Sequence, residues 1–290
     1  MGWRCVIIDS PCKVSVANNY LIVRTEEIRQ IHLSEISFLM LACPAINITG
    51  VALYELSRNK IKIVFCDEKR NPYGEIVNLY GSHNCAKQLK KQLGWNNIFA
   101  AYAAAKIVSQ KIANQAALLK KLGFFERAAM LDEYAHNVLP DDSTNREGHA
   151  AKVYFNTIFG MDFSREKDCP VNAALNYGYG ILLSLVNREI VCCGKLTQLG
   201  IHHRNEFNQF NLSCDIMEPF RVVIDEFVYL HKEDTFDTSY KFSLVNLANK
   251  SLRFNGRECL LSDAVSQYVK SVFDSLDSNG EKPLPVFEFE

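Results

Sequence analysis

The stretch NAALNYGYGILLSLVNREIV, residues 172–191, decides the fold class of the second part of the chain. Its apolar side chains recur at steps of three and four residues, as at Leu175, Tyr179, Leu182 and Val186. This period places them on one face of an α-helix, and a face this apolar has to be covered by other elements. The stretch therefore predicts a long, largely buried helix.

Two further segments on either side of this stretch have the same period. Residues 96–122 keep an apolar face that includes Ile98, Val108 and Ile112, and Gly123 follows as a natural carboxyl-terminal stop. Residues 220–230 form a second, shorter pattern with polar residues on the opposite face. Both segments are predicted to be helices, so the second part of the chain is expected to be helical throughout.

The first part of the chain alternates instead. Apolar residues at every second position predict strands, and they occur in three places, Val14 with Val16, Tyr20 with Ile22, and Ile61 with Ile63 and Phe65. Asn18-Asn19 tolerates a left-handed backbone, so residues 12–24 are predicted to form a hairpin. Residues 48–59 are predicted to hold a short helix. Residues 67–81, which contain Asn-Pro-Tyr-Gly, are expected to form a turn that leads to a domain boundary.

These patterns predict an α+β protein of two domains. A small β-rich domain covers residues 1–80, and a larger all-helical domain covers residues 81–290. Pro283 and Pro285 interrupt the last segment, so a loose acidic tail is expected from about residue 275.

The composition is that of an ordinary folded protein, with 48% apolar and 22% charged residues. The amino terminus lacks the long apolar region of a secretory signal, and no apolar run is long enough to span a membrane. A cytoplasmic location is therefore expected. The ten cysteines include no C-x-x-C pair, which argues against a zinc site.

The net charge of −1 hides an uneven distribution of charge. No Asp or Glu occurs from Ile76 through Phe125. The same stretch carries seven lysines, at Lys87, Lys90, Lys91, Lys106, Lys111, Lys120 and Lys121. An uncompensated basic block of this kind predicts a surface that faces phosphates, although a solvated helix face without a partner is an equal alternative.

Glu147 is the first candidate for chemistry, because it immediately precedes an apolar helix face that begins at Ala150. A carboxylate near the first turn of a helix can reach a cleft and bind a hard divalent cation. Thr144 three residues earlier supports a different interpretation. The pair fits a capping box, in which the carboxylate only satisfies a free backbone N–H group.

The second candidate segment, LGIHHRNEFNQFNLSCDIMEPFR, combines two histidines with two carboxylates. Side chains of adjacent residues diverge in a regular backbone, so at most one of His202 and His203 is expected to point into a site. Asp215 and Glu218 lie three residues apart and share a face if both are helical. Capping competes here too, since an Asp at a helix start with Glu three residues later is a familiar terminal pattern.

Four segments in this order resemble the CRISPR-associated protein one family, the integrase of CRISPR adaptation, and most nearly its type II form. They are NPYGEIVNLYG, REGHAAKVYFNTIFG, NAALNYGYGILLSLV and the segment from LGIHHRN to SCDIMEPFR. The resemblance runs along nearly the whole chain. It implies a small amino-terminal β-domain followed by a larger helical catalytic domain.

The resemblance also implies a metal site. The family's ligands fall on Glu147, His203 and Glu218, which would hold Mg²⁺ or Mn²⁺. Asp215 is a further possible ligand, since many relatives have Asp as the third ligand. His202 has no assigned role, and its loss is expected to be tolerated better than that of His203.

Partners and reaction follow from the same resemblance. The family forms homodimers, and two dimers flank a central dimer of CRISPR-associated protein two. Its members join the 3′-OH ends of double-stranded spacer DNA to the CRISPR repeat by transesterification. Two alternatives stay open on the residues alone, a hydrolytic metal-dependent DNA nuclease and a non-catalytic DNA-binding assembly subunit.

Overall fold

The structure is a computed structural model that describes residues 2–77 and 84–290, except for the side chain of Asp141. The chain divides into two compact units, Met1–Gly81 and Ser82–Glu290. The first is rich in strands and the second is mostly helical, so the protein is of the α+β class. The domain boundary expected near residue 80, and the end of the segment NPYGEIVNLYG, lie in residues 78–83, outside the described residues.

Eight strands, one α-helix and a short 3₁₀ helix, Leu33–Glu35, make up the regular structure in the described part of the first unit. The strands and the α-helix are β1 (Arg4–Ile8), β2 (Cys12–Ala17), β3 (Tyr20–Arg24), β4 (Ile28–His32), β5 (Ile36–Leu41), β6 (Ile46–Ile48), α1 (Gly50–Arg58), β7 (Lys62–Cys66) and β8 (Pro72–Ile76). One sheet has the order β1-β5-β7-β8 and the other the order β4-β3-β2-β6. Both sheets contribute to one apolar core, which includes Val14 and Leu21 from one and Leu39 and Ile63 from the other.

The predicted hairpin is confirmed. Strands β2 and β3 pair antiparallel with Ala17 opposite Tyr20. Asn18 and Asn19 form the turn with φ angles of 50° and 62°, in the left-handed region that asparagine tolerates best among residues with a side chain. The short helix predicted within residues 48–59 is α1, and Thr49 caps it by accepting the N–H of Ala52 at 3.2 Å.

The segment after residue 67 differs from the expectation of a turn. The turn itself is short and closes where the N–H of Asn71 donates to the Asp67 side chain at 2.8 Å. Residues from Pro72 onward then form β8, which pairs antiparallel with β7 at the end of the sheet order. Proline is compatible with this position because an edge strand leaves one row of N–H groups unused.

Helices dominate the second unit. They are α2 (Cys85–Leu93), α3 (Asn97–Lys121), α4 (Phe125–His136), α5 (Arg146–Phe159), α6 (Pro170–Cys192), α7 (Asn211–Met217), α8 (Arg221–Leu230), α9 (Thr238–Asn246) and α10 (Leu261–Asp277). The three helices predicted from periodicity correspond to α3, α6 and α8. Across residues 2–77 and 84–290 no helix is both long and apolar enough to cross a membrane.

The second unit is not all-helical as predicted. A small hairpin, β9 (Ser251–Phe254) and β10 (Arg257–Leu260), precedes α10. Asn255-Gly256 forms its two-residue turn with φ angles of 51° and 72°. Asn-Gly is the strongest short signal for such a turn, and the flanking strands are too short to show a clear alternation.

Helix α3 lies at the centre of the second unit and contacts α4, α5, α8 and α10. Asn96 caps it by accepting the N–H groups of Ile98 and Phe99 at 2.9 and 3.1 Å. Gly123, at φ 85°, follows its carboxyl end as expected. Because α3 also runs beside the junction between α7 and α8, polar residues on its buried face lie against that junction.

The segment expected to be a loose tail is ordered against α3. Residues up to Asp277 belong to α10, and the chain beyond it packs through Phe287, which stacks on Phe220 with ring centroids 4.4 Å apart. Asn114 on α3 donates to the carbonyl of Phe287 at 3.0 Å and accepts the N–H of Phe289 at 3.0 Å. Proline keeps such a segment extended, and the amide side chains of α3 replace the backbone partners that it lacks.

Replacing Phe287 by alanine is expected to lower the free energy of unfolding by about 3 kcal/mol, the range for removing a buried aromatic ring. The ring is only 2% exposed. Val286→Ala is the matched control, since Val286 is 52% exposed and its change should stay within about 0.5 kcal/mol. Urea unfolding followed by far-ultraviolet circular dichroism measures both variants. Equal stabilities for the two would show that the segment is loose after all.

Candidate active site

Glu147 lies in the first turn of α5, but it does not cap that helix. Asp142 does so, because its carboxylate accepts the N–H groups of Arg146 and Glu147 at 2.8 and 2.9 Å. The capping-box interpretation of Thr144 with Glu147 is therefore wrong. The carboxylate of Glu147 instead accepts a hydrogen bond of 2.5 Å from the ammonium of Lys111 on α3.

Glu218 lies in a short 3₁₀ helix, Glu218–Phe220, that joins α7 to α8. Its side chain is buried and forms two ion pairs. Oε2 lies 2.6 Å from Nζ of Lys111, and Oε1 lies 3.2 Å from Nε of Arg221. Lys111 thus touches the carboxylates of Glu147 and Glu218 at once. Two carboxylates that are remote in sequence converge on one positive charge.

The charges of this group determine its protonation. Burial by itself favours the neutral form of each partner. The charges of Glu218 and Glu147 outweigh burial and raise the pKa of Lys111 above its ordinary value. The charge and hydrogen bond of Lys111 likewise outweigh burial and lower the pKa of Glu147. Both groups are therefore charged at neutral pH.

His203 belongs to the loop between α6 and α7 and is held by Asp215. One oxygen of Asp215 accepts the N–H of Ile201 at 2.7 Å and that of His202 at 3.1 Å. The other accepts the N–H of His203 at 3.0 Å and lies 2.6 Å from its Nδ1. Nδ1 is therefore the protonated donor, which leaves Nε2 as the nitrogen that can bind a ligand.

Asp215 holds the imidazole in place and is not a helix cap. It lies within α7, not at its start, and it is buried. Its hydrogen bond, ahead of any other cause, raises the pKa of His203, and the charges of Glu218 and Glu147 add to the effect. Because both Asp215 oxygens accept hydrogen bonds from the loop, direct ligation by Asp215 is disfavoured compared with ligation by Glu218.

The loop approaches Asp215 so closely that it needs a glycine at position 200. A side-chain carbon on Gly200 would lie 2.4 Å from the carbonyl oxygen of His203 and 2.8 Å from the Asp215 carboxylate. Neither neighbour can yield without breaking the hydrogen bonds that orient His203. Gly200 is therefore part of the structure that positions the imidazole, although sequence analysis did not single it out.

His202 also faces the site, which corrects the expectation that only one of the two histidines would do so. Its Nε2 lies 3.9 Å from the carboxylate of Glu147, and its ring stands nearly perpendicular to that of His203. Side chains diverge only along regular strands and helices. Here the N–H groups of three successive residues turn towards Asp215, so the alternation is lost.

The donor set suits a hard divalent cation. Carboxylate oxygens and an imidazole nitrogen are ligands that Mg²⁺ and Mn²⁺ accept. Oε2 of Glu218 is buried without a hydrogen bond, and its contact with Lys111 is an ion pair. Among the described residues no three His, Cys, Asp or Glu side chains are grouped closely enough to hold an ion as they stand. The ammonium of Lys111 contacts the carboxylates of both glutamates.

A buried network that sequence analysis missed supports the site. Asp225 on α8 accepts hydrogen bonds from the hydroxyls of Tyr154 on α5, at 3.0 Å, and of Tyr179 on α6. Burial raises the pKa of Asp225 to about 6, against the opposing effect of the two tyrosines. The guanidinium of Arg221 lies 4.6 Å from the ring centroid of Tyr179. The network fixes three helices that carry or flank the site.

The seven lysines predicted to contact DNA do not form one uncompensated surface. Lys111 is buried between the glutamates, and three others pair with acidic residues from other parts of the chain, Lys91 with Asp277, Lys120 with Asp132 and Lys121 with Glu226. Lys106 lies over the ring of Tyr102. Lys87 and Lys90 on α2 are exposed and make no ion pair within the described part of the chain.

Comparisons with known proteins agree on one family. Residues 5–240 match the family described as CRISPR associated protein Cas1. The chain is 34% identical over 226 residues to the CRISPR-associated endonuclease Cas1 of Neisseria meningitidis serogroup C (strain 8013), an alignment that covers 78% of this chain and 74% of that protein. The resemblance inferred from the four sequence segments is confirmed.

Solved structures share the fold. A casposase bound to integration product superimposes with a TM-score of 0.77 at 18% identity, covering 96% of this chain and 92% of that chain. A Cas6-RT-Cas1–Cas2 complex contains a chain that matches with a TM-score of 0.75 at 20% identity, covering 98% of this chain and 36% of that chain. At these identities the likeness establishes the architecture.

Proposed function

Because this chain belongs to the CRISPR associated protein Cas1 family, we propose that it is an integrase that joins the 3′-OH ends of spacer DNA to the CRISPR repeat by metal-dependent transesterification. One observation carries the proposal. The carboxylates of Glu147 and Glu218 meet at a single cation, and their charges also act on the imidazole of His203, whose Nδ1 is held by Asp215.

Glu147, Glu218 and Nε2 of His203 would hold Mg²⁺ or Mn²⁺. Imidazole is a softer ligand than a carboxylate, so Mn²⁺ is expected to support stronger activity in vitro. A divalent ion bound there supplies positive charge to a phosphate oxygen as negative charge develops on it. Arg221, held between Glu218 and the ring of Tyr179, places a permanent positive charge beside the same position.

The reaction exchanges one phosphodiester for another. The oxygen of the donor 3′-hydroxyl forms a bond to a phosphorus of the repeat strand, while the bond from that phosphorus to the repeat's own 3′ oxygen breaks. The proton of the attacking hydroxyl ends on the leaving oxygen or in solvent. Catalysis of such a transfer depends mostly on positioning and on neutralising charge, and both are tasks that buried, mutually restrained side chains perform well.

Partners are proposed from the same family. The matching Cas6-RT-Cas1–Cas2 complex supports a Cas2 partner, and the casposase bound to integration product supports a DNA substrate. We expect this chain to form homodimers, with two of them on either side of a central Cas2 dimer. Double-stranded spacer DNA and repeat DNA are the substrates. Lys87, Lys90 and Lys106 are the remaining lysine candidates for phosphate contacts, which would weaken steeply with salt.

A hydrolytic DNA nuclease is the second candidate, favoured by the word endonuclease in the name of the Neisseria relative. It would use the same ligands with water as the nucleophile. A non-catalytic assembly subunit is disfavoured, because that alternative needs Glu147 as a helix cap and Asp142 already fills that role.

Donor DNA blocked at its 3′ ends separates integration from hydrolysis. We expect a plasmid carrying the repeat to be joined to 3′-OH donors in the presence of Cas2 and Mn²⁺, and joining to fall to background with 3′-dideoxy donors, since the attacking oxygen is then missing. The readout is labelled donor covalently attached to the plasmid. Equal joining of blocked donors would contradict transesterification, and nicked plasmid without attached donor would favour the nuclease.

A further inference from the structure

Lys111 occupies an unusual place for a lysine. Its side chain is only 9% exposed, and its ammonium contacts two carboxylates that the proposed function assigns to the metal. Lysine is rarely buried unless it is paired, and here both partners belong to the site.

Two neighbouring carboxylates, one buried and one half-buried, repel each other without a counter-charge and are poorly solvated. The ammonium of Lys111 offsets both effects, because it lies within 2.6 Å of an oxygen from each glutamate. Arg221 does not replace it, since its 3.2 Å contact is with the other oxygen of Glu218. Lys111 is therefore the cation that draws the two carboxylates together.

A divalent ion held by Glu147 and Glu218 would compete with Lys111 for the carboxylate oxygens that its ammonium now contacts. Ammonium and metal ion cannot both lie between these oxygens. The side chain of lysine has four flexible carbons, so its nitrogen can withdraw while α3 stays in place. The backbone of α3 is fixed independently by Asn114, which bonds the carbonyl of Pro219 at 3.0 Å and also binds the carboxyl-terminal segment.

We propose that Lys111 is an internal cation that competes with the divalent ion for Glu147 and Glu218. The lysine keeps the two carboxylates together before the ion binds and is displaced when it does. Lys111 is thus a positioning residue of the metal site and not one of the lysines that grip the duplex. This inference rests on the proposed function, because it takes the two glutamates as metal ligands.

Mn²⁺ binding to the full-length protein tests the competition. Free Mn²⁺ measured by electron paramagnetic resonance gives the dissociation constant. Lys111→Met is expected to bind Mn²⁺ about tenfold more tightly than the unsubstituted protein, equivalent to about 1.4 kcal/mol. Its melting temperature should be lower in EDTA and should rise more on adding Mn²⁺. The control is Lys152→Met, an exposed lysine on the helix that carries Glu147, which should change neither value.

Lysine labelling of the unsubstituted protein provides a test that does not depend on a variant. Reductive methylation followed by mass spectrometry should leave Lys111 largely unmodified in EDTA and label it several-fold more in Mn²⁺, while Lys152 reacts equally in both. Unchanged labelling of Lys111, or equal or weaker Mn²⁺ binding by Lys111→Met, overturns the inference. A failure of the proposed function would look different. In that case the unsubstituted protein would not bind Mn²⁺, or Glu147→Gln would not weaken the binding.

Discussion

Glu147→Gln is expected to reduce strand joining about a thousandfold, because the loss of a charged ligand from the proposed metal site would remove about 4 kcal/mol of transition-state stabilisation. Glutamine has nearly the same shape as glutamate, and its carbonyl oxygen can still accept the hydrogen bond that Lys111 now gives to Glu147. The fold should therefore survive. Initial rates of donor attachment to a repeat-bearing plasmid, at saturating Mn²⁺ and with Cas2 present, measure the loss.

Glu126→Gln is the matched control for this substitution. Glu126 is an exposed glutamate in the first turn of α4, as Glu147 is in the first turn of α5. Its replacement should leave the rate of joining unchanged. If a glutamate at a helix start mattered only through the helix dipole, the two substitutions would have similarly small effects.

Glu218→Gln should cause a loss of the same order, and the double variant should be little worse than either single one. Groups that act on one ion form a unit, so removing the second adds little once the first is gone. Additive losses would mean that the two carboxylates act separately. Intact joining by either single variant would remove the catalytic assignment altogether.

The second large effect is expected from Asp215→Asn. The carboxylate of Asp215 accepts three backbone N–H groups and the Nδ1 proton of His203. An asparagine has a single acceptor oxygen, and its NH₂ group would face some of the N–H groups that now donate to Asp215. Loss of such a partner of a metal-binding histidine lowers metal affinity or activity by about 10 to 100-fold. Unpaired buried N–H groups should also lower the free energy of unfolding by about 3 kcal/mol.

The measurement has to separate positioning of His203 from a loss of stability. The Mn²⁺ concentration for half-maximal joining should rise in Asp215→Asn. Adding Asp215→Asn to His203→Ala should not raise this concentration further. Asp237→Ala is the control, because Asp237 caps α9 through the N–H of Tyr240. It should lower stability by about 1 kcal/mol without changing the Mn²⁺ requirement. An unchanged Mn²⁺ requirement in Asp215→Asn would leave Asp215 a purely structural role.

Features that depend on nearby residues were predictable from the sequence. The hairpin at Asn18-Asn19, the helix α3 with its stop at Gly123, and the buried helix α6 follow from turn preferences and from apolar period. The carboxyl-terminal segment was not predictable, because its prolines are compatible both with a free tail and with an extended strand. Its packing depends on Gln110 and Asn114, which lie far away in the sequence.

Lys111 shows the same limit within the site. Its position was a weak signal, since it lies one turn beyond Val108 on the buried side of α3, where a charge needs a partner. The sequence could not name that partner, and an absence of nearby acidic residues suggested a DNA-facing surface instead. Asp142 was missed for a similar reason, because the more familiar pair Thr144 and Glu147 fitted the capping pattern equally well.

The sequence by itself determined the family, the two kinds of domain and the residues most suited to chemistry. The spacing of apolar residues, the turn residues and the order of the motifs can all be read directly along the chain. Only the tertiary structure decided which cation faces the two glutamates, which residue caps α5 and which carboxylate orients His203. These choices depend on distances between segments brought together by folding, and ion pairs and hydrogen bonds form only over a few ångströms.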